Sequence, residues 1–592
     1  MIFGKHINKY YLKYSYLIIG GVLALLLVDF MQLKVPELYR MVLEGMQYGE
    51  VKVDSGAVLP FDIDFLLDYI CRPLLFIILS LVFGRFLWRI CLFGAGIRLS
   101  TDMRSEMFNH AKGLSQQYYQ KNNVGNMMSL FTNDLETVQE CFGDGILMFA
   151  DAVLLGTLAI TKMARMNLGL TALTLIPMTL LFAVSTIVGK NMERKWEKRQ
   201  EAFSALSDFS QESFSGIAVI KAFVKEVREL EAFRKLNKNN EHANIEFTKI
   251  STRLHIYVTL FVESVICVIL GYGGYLVYKG DFNAAQLIEF MSYFSSIIWP
   301  IMAVSQLIDM SSRGKASLKR VGELLDAEVN VRDRDDVIEL ENIRGDIEFK
   351  NLTFRYPDAD YDALTDVSFS IKAGENVGII GKTGSGKTTL VDLILRTYNV
   401  PDGTLFIDGH DVNSIPIKTV RKYSAYVPQD NFLFSDTIEN NIAFATDGGD
   451  LDDVIRAAKL SDVHSNISEF TNQYSTVLGE RGVTVSGGQK QRISIARALM
   501  KDANILILDD SVSAVDTETE RVIIANLREN RQGKTTILIA HRVSTVEKMD
   551  KIVFIDNGSV VAVGTHDELL ATCSEYAKTV ELQKLEEEKE DV

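Results

Sequence analysis

Proline is scarce in this chain, with nine among 592 residues, well below the usual ~5%. That scarcity favours long helices, because an interior proline removes a backbone hydrogen bond and kinks the turn before it. Cysteine supplies no scaffold either. Cys71, Cys91, Cys141, Cys267 and Cys573 are odd in number and scattered, which argues against a disulfide framework and a zinc ribbon. A basic surplus is also missing. The formal net charge is −15, which speaks against a surface built for nucleic acid. The chain is 47% apolar, too hydrophobic for a disordered polymer. Yet 23% of its residues are charged and its mean hydropathy is only +0.10. An apolar part joined to a charged part accounts for both values. The length exceeds one core at roughly 150 residues per domain.

The apolar residues lie mainly in the first half. Runs at 16–28 (extended by 29–35), 66–96, 143–160, 168–188, 256–278 and 285–310 each approach the ~20 residues that cross a bilayer. They predict six transmembrane helices. The first follows Lys5, Lys9 and Lys13, but it runs too long for a signal peptide and lacks a small-residue cleavage site, so it reads as a retained span. Loop charge sets the orientation. The basic start belongs in the cytosol. The first loop, with Glu37, Glu44, Glu50, Asp54, Asp62 and Asp64 against Arg40 and Lys52, belongs outside. Residues 190–253 carry 13 lysines and arginines and belong inside. Lys162 and Arg165 fall in an expected outer loop and count against the scheme. Six spans return the second half to the cytosol.

The inner loops at about 97–142 and 189–255 have few turn signals, and structureless loops of that length are improbable. They read as helices continuing ~25–30 Å into the cytosol at 1.5 Å per residue. A charged stretch at 312–345, with Arg332, Asp333, Arg334, Asp335 and Asp336, reads as a linker. The expected organisation is a transmembrane domain over 1–320, a linker over 321–345 and a nucleotide-binding domain over 346–592. The end, from Lys584, reads as a solvated helix end or tail.

A short apolar strand at 376–380 runs into Gly381, Lys382, Thr383, Gly384, Ser385, Gly386, Lys387 and Thr388, followed by Thr389 and an apolar helix. This is G-x-x-x-x-G-K-[ST] in the strand–loop–helix setting of a P-loop. The glycines let backbone N–H groups converge on phosphate oxygens at a helix N-terminus. Lys387 is expected to reach the β- and γ-phosphates and Thr388 to ligate Mg²⁺. A second element, Ile505 to Leu508 ending in Asp509 and Asp510, is a buried strand whose terminal acid reaches the Mg²⁺ shell.

Between these two elements stand Val485, Ser486, Gly487, Gly488 and Gln489. They resemble the LSGGQ signature of ATP-binding cassette (ABC) ATPases, with valine for leucine. Tyr356 matches that family's adenine-stacking aromatic, Gln429 its Q-loop, residues 513–516 its D-loop and His541 its H-switch. The segment 476–482, with Glu480 and Arg481, resembles the one exporters use against the membrane domain. Residues 125–134 and 211–223 look like the inner loops of ABC exporter half-transporters, so the resemblance covers nearly the whole chain. It implies a helical membrane domain followed by an α/β P-loop ATPase domain, with ATP and Mg²⁺ as ligands. Thr388, Gln429 and Asp509 would hold the metal. It also implies a dimer, in which Ser486 and Gly488 close the partner's ATP site. Segments near 113–121 and 209–217 would be coupling helices resting on the cassettes.

One departure stands out. The family usually has glutamate, the general base, where this chain has Asp510. Aspartate is one methylene shorter, about one C–C bond or ~1.5 Å, and a misplacement near ~1 Å can cost about 10²-fold in rate. The chain's own site is therefore expected to bind ATP and hydrolyse it slowly. The expected partner is a second half-transporter with glutamate at that position. A homodimer that tolerates aspartate stays open, since His541 is retained.

In or near the spans, Asp29, Arg85, Asp151 and Glu263 are candidates for function. Asp29 and Glu263 would attract cationic cargo or take up protons, or else join helices by hydrogen bonds. Met291, Met302, Met310, Phe290, Tyr293, Phe294 and Trp299 decorate the sixth span, either as an adaptable binding wall or as ordinary packing. The expected function is ATP-driven export of a small molecule, lipid or peptide. The alternatives are a nucleotide-gated channel or regulator and, against six spans, a soluble cassette protein. An importer is disfavoured, because importers usually keep the two domains on separate chains. The expected setting is a bacterial cell membrane, with the N-terminus and ATPase domain cytosolic.

Overall fold

The computed structural model describes residues 3–590 apart from 54–56, 447, 480, 481 and 483. Asp54, Glu480 and Arg481, singled out above, lie outside the described residues. The chain divides into two units, Met1–Lys112 with Val124–Asp326 and Gly113–Asn123 with Ala327–Val592.

The first unit is helical. Its long helices are Ser15–Gln32, Val35–Tyr48, Arg72–Ala111, Leu135–Met166, Leu168–Ser215, Glu226–Lys279 and Ala284–Leu325. Proline interrupts only two of these internally, at Pro177 and Pro300. The 54 residues of Glu226–Lys279 rise ~80 Å at 1.5 Å per residue, far beyond a ~30 Å hydrocarbon core. The surplus is the expected helical inner loop. The turns between helices carry their own chemistry. Gly280, at φ +85°, ends one helix, and Asn283 begins the next by exchanging hydrogen bonds with Gln286. That exchange satisfies N–H groups a helix start leaves open.

Among the described residues, five helical stretches are long and apolar enough to cross a membrane, where the sequence predicts six. The fourth expected span falls on Leu168–Ser215, of which Leu168–Pro177 is the apolar piece found among the described residues. The charged stretch at 312–345 also differs from expectation. Helix Ala284–Leu325 continues through its first part, past the expected domain end at 320. Leu318, Val321 and Leu324 are buried there, so the apolar stripe keeps its helical spacing beneath the charges. Phe290, Tyr293 and Phe294 are buried packing residues, whereas Trp299 and Met302 are exposed. Lys162, which counted against the orientation, bonds to the buried Glu37 of helix Val35–Tyr48.

The second unit is an α/β domain. Its six-stranded sheet runs in the order Ser559–Gly564, Lys551–Asp556, Asn376–Gly381, Thr535–Ala540, Ile505–Asp509, Ser424–Val427. All neighbours are parallel except the edge pair Lys551–Asp556 and Ser559–Gly564. Every residue of Thr535–Ala540 and Ile505–Asp509 is buried, as expected of strands covered on both faces. A four-stranded antiparallel sheet, in the order Leu364–Ile371, Ile347–Phe354, Leu405–Ile407, His410–Asp411, packs with it in one core through Phe349, Leu390, Ile379 and Ile539. A helical cluster around Leu433, Ile442, Val454 and Ile493 carries the helix Gly487–Met500.

Candidate nucleotide site

Four neighbouring parallel strands all end on the same side of the sheet, and each ends in a candidate residue. The P-loop follows Asn376–Gly381, His541 follows Thr535–Ala540, Asp509 and Asp510 close Ile505–Asp509, and Gln429 lies just beyond Ser424–Val427. Ligands in open α/β sheets bind at such carboxyl ends.

The loop from Gly381 to Gly386 turns sharply into helix Lys387–Ile394. A Cβ on Gly381 would lie 2.1 Å from the Ile555 carbonyl oxygen, and Gly386 sits at φ +97°. Both positions demand glycine. Lys387 is buried, and its Nζ donates to the carbonyls of Gly381 and Lys382, each at 2.8 Å. Burial holds its ammonium below the usual value, opposed by Asp509 and Asp510. A buried cation whose hydrogen-bond acceptors among the described residues are two neutral carbonyls is ready for a stronger anionic partner. Lys382 itself points to Asp556 at 3.6 Å, and Ser385 Oγ is buried without a partner among the described residues. Thr383 and Gly384 complete the turn, Gly384 at φ +81°.

Asp509 is 1% exposed. The hydroxyls of Thr388 and Tyr426 lie beside its carboxyl group, and burial pushes that group above its ordinary range. Its Oδ2 nevertheless has no hydrogen-bond partner among the described residues. An orphaned buried carboxylate oxygen beside a threonine hydroxyl fits a hard cation such as Mg²⁺, which takes oxygen donors. Asp510 is in the left-handed region at φ +47°. Its N–H donates to Ile539, and its carbonyl accepts from Gln491 Nε2 at 3.2 Å and Ser513 Oγ at 2.9 Å. Gln429 Nε2 lies 3.4 Å from Asp510 Oδ2. Tyr356 is half-buried. Its hydroxyl donates to Thr389 Oγ1 at 2.9 Å, and its ring packs edge-on to Phe354 and Tyr398.

The signature residues stand apart. Ser486 caps helix Gly487–Met500 and exchanges hydrogen bonds with Gln489, and a Cβ on Gly488 would lie 3.1 Å from the Ala514 carbonyl oxygen. Among the described residues, no hydrogen bond joins Ser486, Gly487, Gly488 or Gln489 to the P-loop of the same chain. The first expected coupling segment, near 113–121, falls within Gly113–Asn123, a stretch that belongs to the second unit. There Gln117 donates to Asp358 at 3.0 Å, and Tyr398 donates to Gln120 at 2.8 Å.

Sequence reasoning missed two glutamines. Gln491 ties the signature helix to the loop after Asp510, since its Oε1 also accepts from Ala514 N–H at 3.0 Å. Gln583, on helix Ser574–Glu590, donates to the His541 carbonyl and accepts from Val543 N–H, both at 2.7 Å. Neither carries a local signal. Gln583 lies beside the charged tail and reaches His541 only through the fold.

Comparison with known proteins agrees with this geometry. Residues 59–301 match the family described as the ABC transporter transmembrane region, and residues 364–513 match the ABC transporter family. The chain is 35% identical to a probable multidrug resistance ABC transporter ATP-binding/permease protein, YheI, of Bacillus subtilis, over 98% of this chain and 97% of that one. It is 33% identical to the multidrug resistance-like ATP-binding protein MdlA of Escherichia coli, over 96% and 94%. A solved structure of a bacterial Atm1-family ABC exporter with ATP bound superposes with a TM-score of 0.80 at 25% identity, covering 98% of this chain and 99% of that one.

Proposed function

Because the chain belongs to the ABC transporters, as an integral membrane protein with an ATPase coupled to transport, we propose that it is one half of a heterodimeric exporter whose own ATP site is slow. The observation that carries this reading is Asp510 at the end of strand Ile505–Asp509, where the family's usual glutamate would act as general base. Hydrogen bonds to Gln491, Ser513 and Ile539 hold the backbone at Asp510, which supports a strand end that does not move to offset the shorter side chain. The competent site would take its glutamate from a different chain and its signature, Ser486 to Gln489, from this one. The separation of that signature from this chain's own P-loop supports a site shared between subunits. So does the exposure of Phe214, Val219, Phe223 and Val224 around the second expected coupling segment, which a second subunit would cover.

The residues have these roles in the proposal. Backbone N–H groups of the loop from Gly381 to Thr389 hold the phosphates, and Lys387 exchanges its carbonyl partners for phosphate oxygens. Thr388, Asp509 and Gln429 would hold Mg²⁺, which neutralises charge on the phosphates. Tyr356 would stack on adenine. Asp510 and His541 would orient the attacking water and the γ-phosphate. ATP would draw the two cassettes together and turn the membrane helices outward, and hydrolysis would reset them. The cargo is a small molecule, lipid or peptide, and the multidrug names of the two relatives favour a drug-like molecule. The ATPase domain and N-terminus would face the cytosol of a bacterial cell.

Purified chain, alone and with a second half-transporter carrying glutamate at the equivalent position, tests the proposal by steady-state ATP hydrolysis. Negligible turnover alone and rapid turnover together are expected. Rapid turnover by this chain alone, abolished by Asp510→Asn, would refute the slow-site heterodimer.

A further inference from the structure

Three polar side chains from three helices of the membrane unit meet away from the nucleotide site. Asp29 comes from Ser15–Gln32, Asp151 from Leu135–Met166 and Trp299 from Ala284–Leu325. Trp299 Nε1 donates to Asp151 Oδ2 at 2.5 Å, and the carboxyl groups of Asp29 and Asp151 are in hydrogen-bonding contact. Asp29 is only 2% exposed, and its Oδ2 has no hydrogen-bond partner among the described residues. Trp299 is 45% exposed and Asp151 is half-buried. The trio is therefore closed at Asp29 and open at its other end.

Two carboxyl groups in contact repel unless a proton or another cation lies with them. Among the described residues, the protein supplies no cation of its own. On the helices packed around the trio, Arg85 is directed to Gln32 at 3.5 Å, Arg98 to the Tyr16 hydroxyl at 2.9 Å and Arg89 to the Trp88 ring. Lys162 is taken by Glu37, and Arg313 by Asp309. Among the described residues, no lysine or arginine forms an ion pair with Asp29 or Asp151. Paired acids without a counter-charge are costly within a membrane and mark a functional site. An indole beside them adds attraction for a cation through its ring.

We propose that Asp29, Asp151 and Trp299 form a site for an organic cation, a single positive charge on an otherwise apolar body. The hydrogen bond between the two carboxyl groups carries one proton, so the pair presents the one negative charge that neutralises the cation, and the exposed part of Trp299 receives the apolar body. This deepens the exporter reading and rests on it only in making the cation a cargo.

The test uses full-length protein in lipid nanodiscs and equilibrium dialysis. The probes are tetraphenylphosphonium and triphenylphosphine oxide, a neutral molecule of similar build. The wild type is expected to bind the cation. Asp29→Asn and Asp151→Asn should each weaken cation binding at least tenfold and shift the neutral probe less than twofold. Trp299→Phe, which keeps an aromatic ring, should weaken the cation less than Trp299→Ala does. No binding of the cation by the wild type, unchanged cation affinity in Asp151→Asn, or equal loss of both probes overturns the proposal. Because Asp151 is partly exposed, its variant decides the matter if Asp29→Asn does not fold. With the partner half-transporter present, in sealed proteoliposomes, cation binding without ATP-driven transport would sink the exporter reading and leave this site standing. ATP-driven transport without cation binding would do the reverse.

Discussion

The Gln583 side chain grips the backbone on both sides of Arg542, donating to the His541 carbonyl and accepting from Val543 N–H, each at 2.7 Å. The C-terminal helix thus holds the loop that presents His541 at the end of its strand. Each such bond contributes ~1 kcal/mol, and a displacement of the loop would reach the proposed chemistry. The effect is best read in an Asp510→Glu background, where this chain's own site is expected to turn over at least tenfold faster. There, Gln583→Ala should lower kcat about tenfold, or ~1.4 kcal/mol, with KM for ATP within about twofold. Gln583→Glu keeps the acceptor but loses the donor, and should fall as far. An unchanged kcat in both variants would remove Gln583 from the site.

Gly386 is the second point of leverage. Its φ is +97°, and a Cβ there would lie 2.7 Å from Leu364 Cδ2 and 2.9 Å from the Ala363 carbonyl oxygen. Gly386→Ala should destabilise the second unit by ~1–3 kcal/mol and weaken binding of a fluorescent ATP analogue more than tenfold. Thermal unfolding and titration with the analogue read the two effects separately. Wild-type behaviour in both would mean that the loop has another conformation.

A pH dependence follows from Asp392. Burial, with Asp509 nearby, pushes its carboxyl from 3.8 up to about 6. The native state keeps this proton where the unfolded chain has already lost it. The contribution to stability is therefore full below the unfolded value and is lost as pH rises through about 6. Asp392→Asn should flatten that loss. In Mg²⁺-free, nucleotide-free protein, the variant should match the wild type near pH 4 and exceed it at pH 7 by on the order of 1–3 kcal/mol. Thermal unfolding across that range checks the sign, and a less stable variant at pH 7 would contradict it.

In the first unit, Arg40 sits between two buried acids. Its guanidinium reaches Glu289 at 2.9 Å and Glu44 at 3.1 Å, and each acid is 6% exposed. Removing one partner of a buried pair leaves an uncompensated charge and costs ~3–5 kcal/mol. Arg40→Met should lower the unfolding temperature of the protein in detergent markedly. Arg40→Lys should recover part of the loss, because it restores the charge without the fork geometry. Equal stability of the methionine variant and the wild type would show that the cluster carries little energy.

The sequence by itself determined the membrane half, the P-loop, the buried strand before Asp509 and the departure at Asp510. These are local patterns: apolar runs long enough for a bilayer, glycines at fixed spacing and single residues at motif positions. It placed the linker too early, because charges on a helix surface hide the buried stripe of Leu318, Val321 and Leu324. What only the tertiary structure decided is proximity. Strands far apart in the chain lie side by side as Ser424–Val427, Ile505–Asp509, Thr535–Ala540 and Asn376–Gly381, and this order sets Gln429, Asp510, His541 and Lys387 along one edge of the sheet. The meeting of Asp29 with Asp151 and of Gln583 with His541 has the same origin. Periodicity gives the face on which a side chain lies, but the neighbour across that face is fixed by how helices and strands pack.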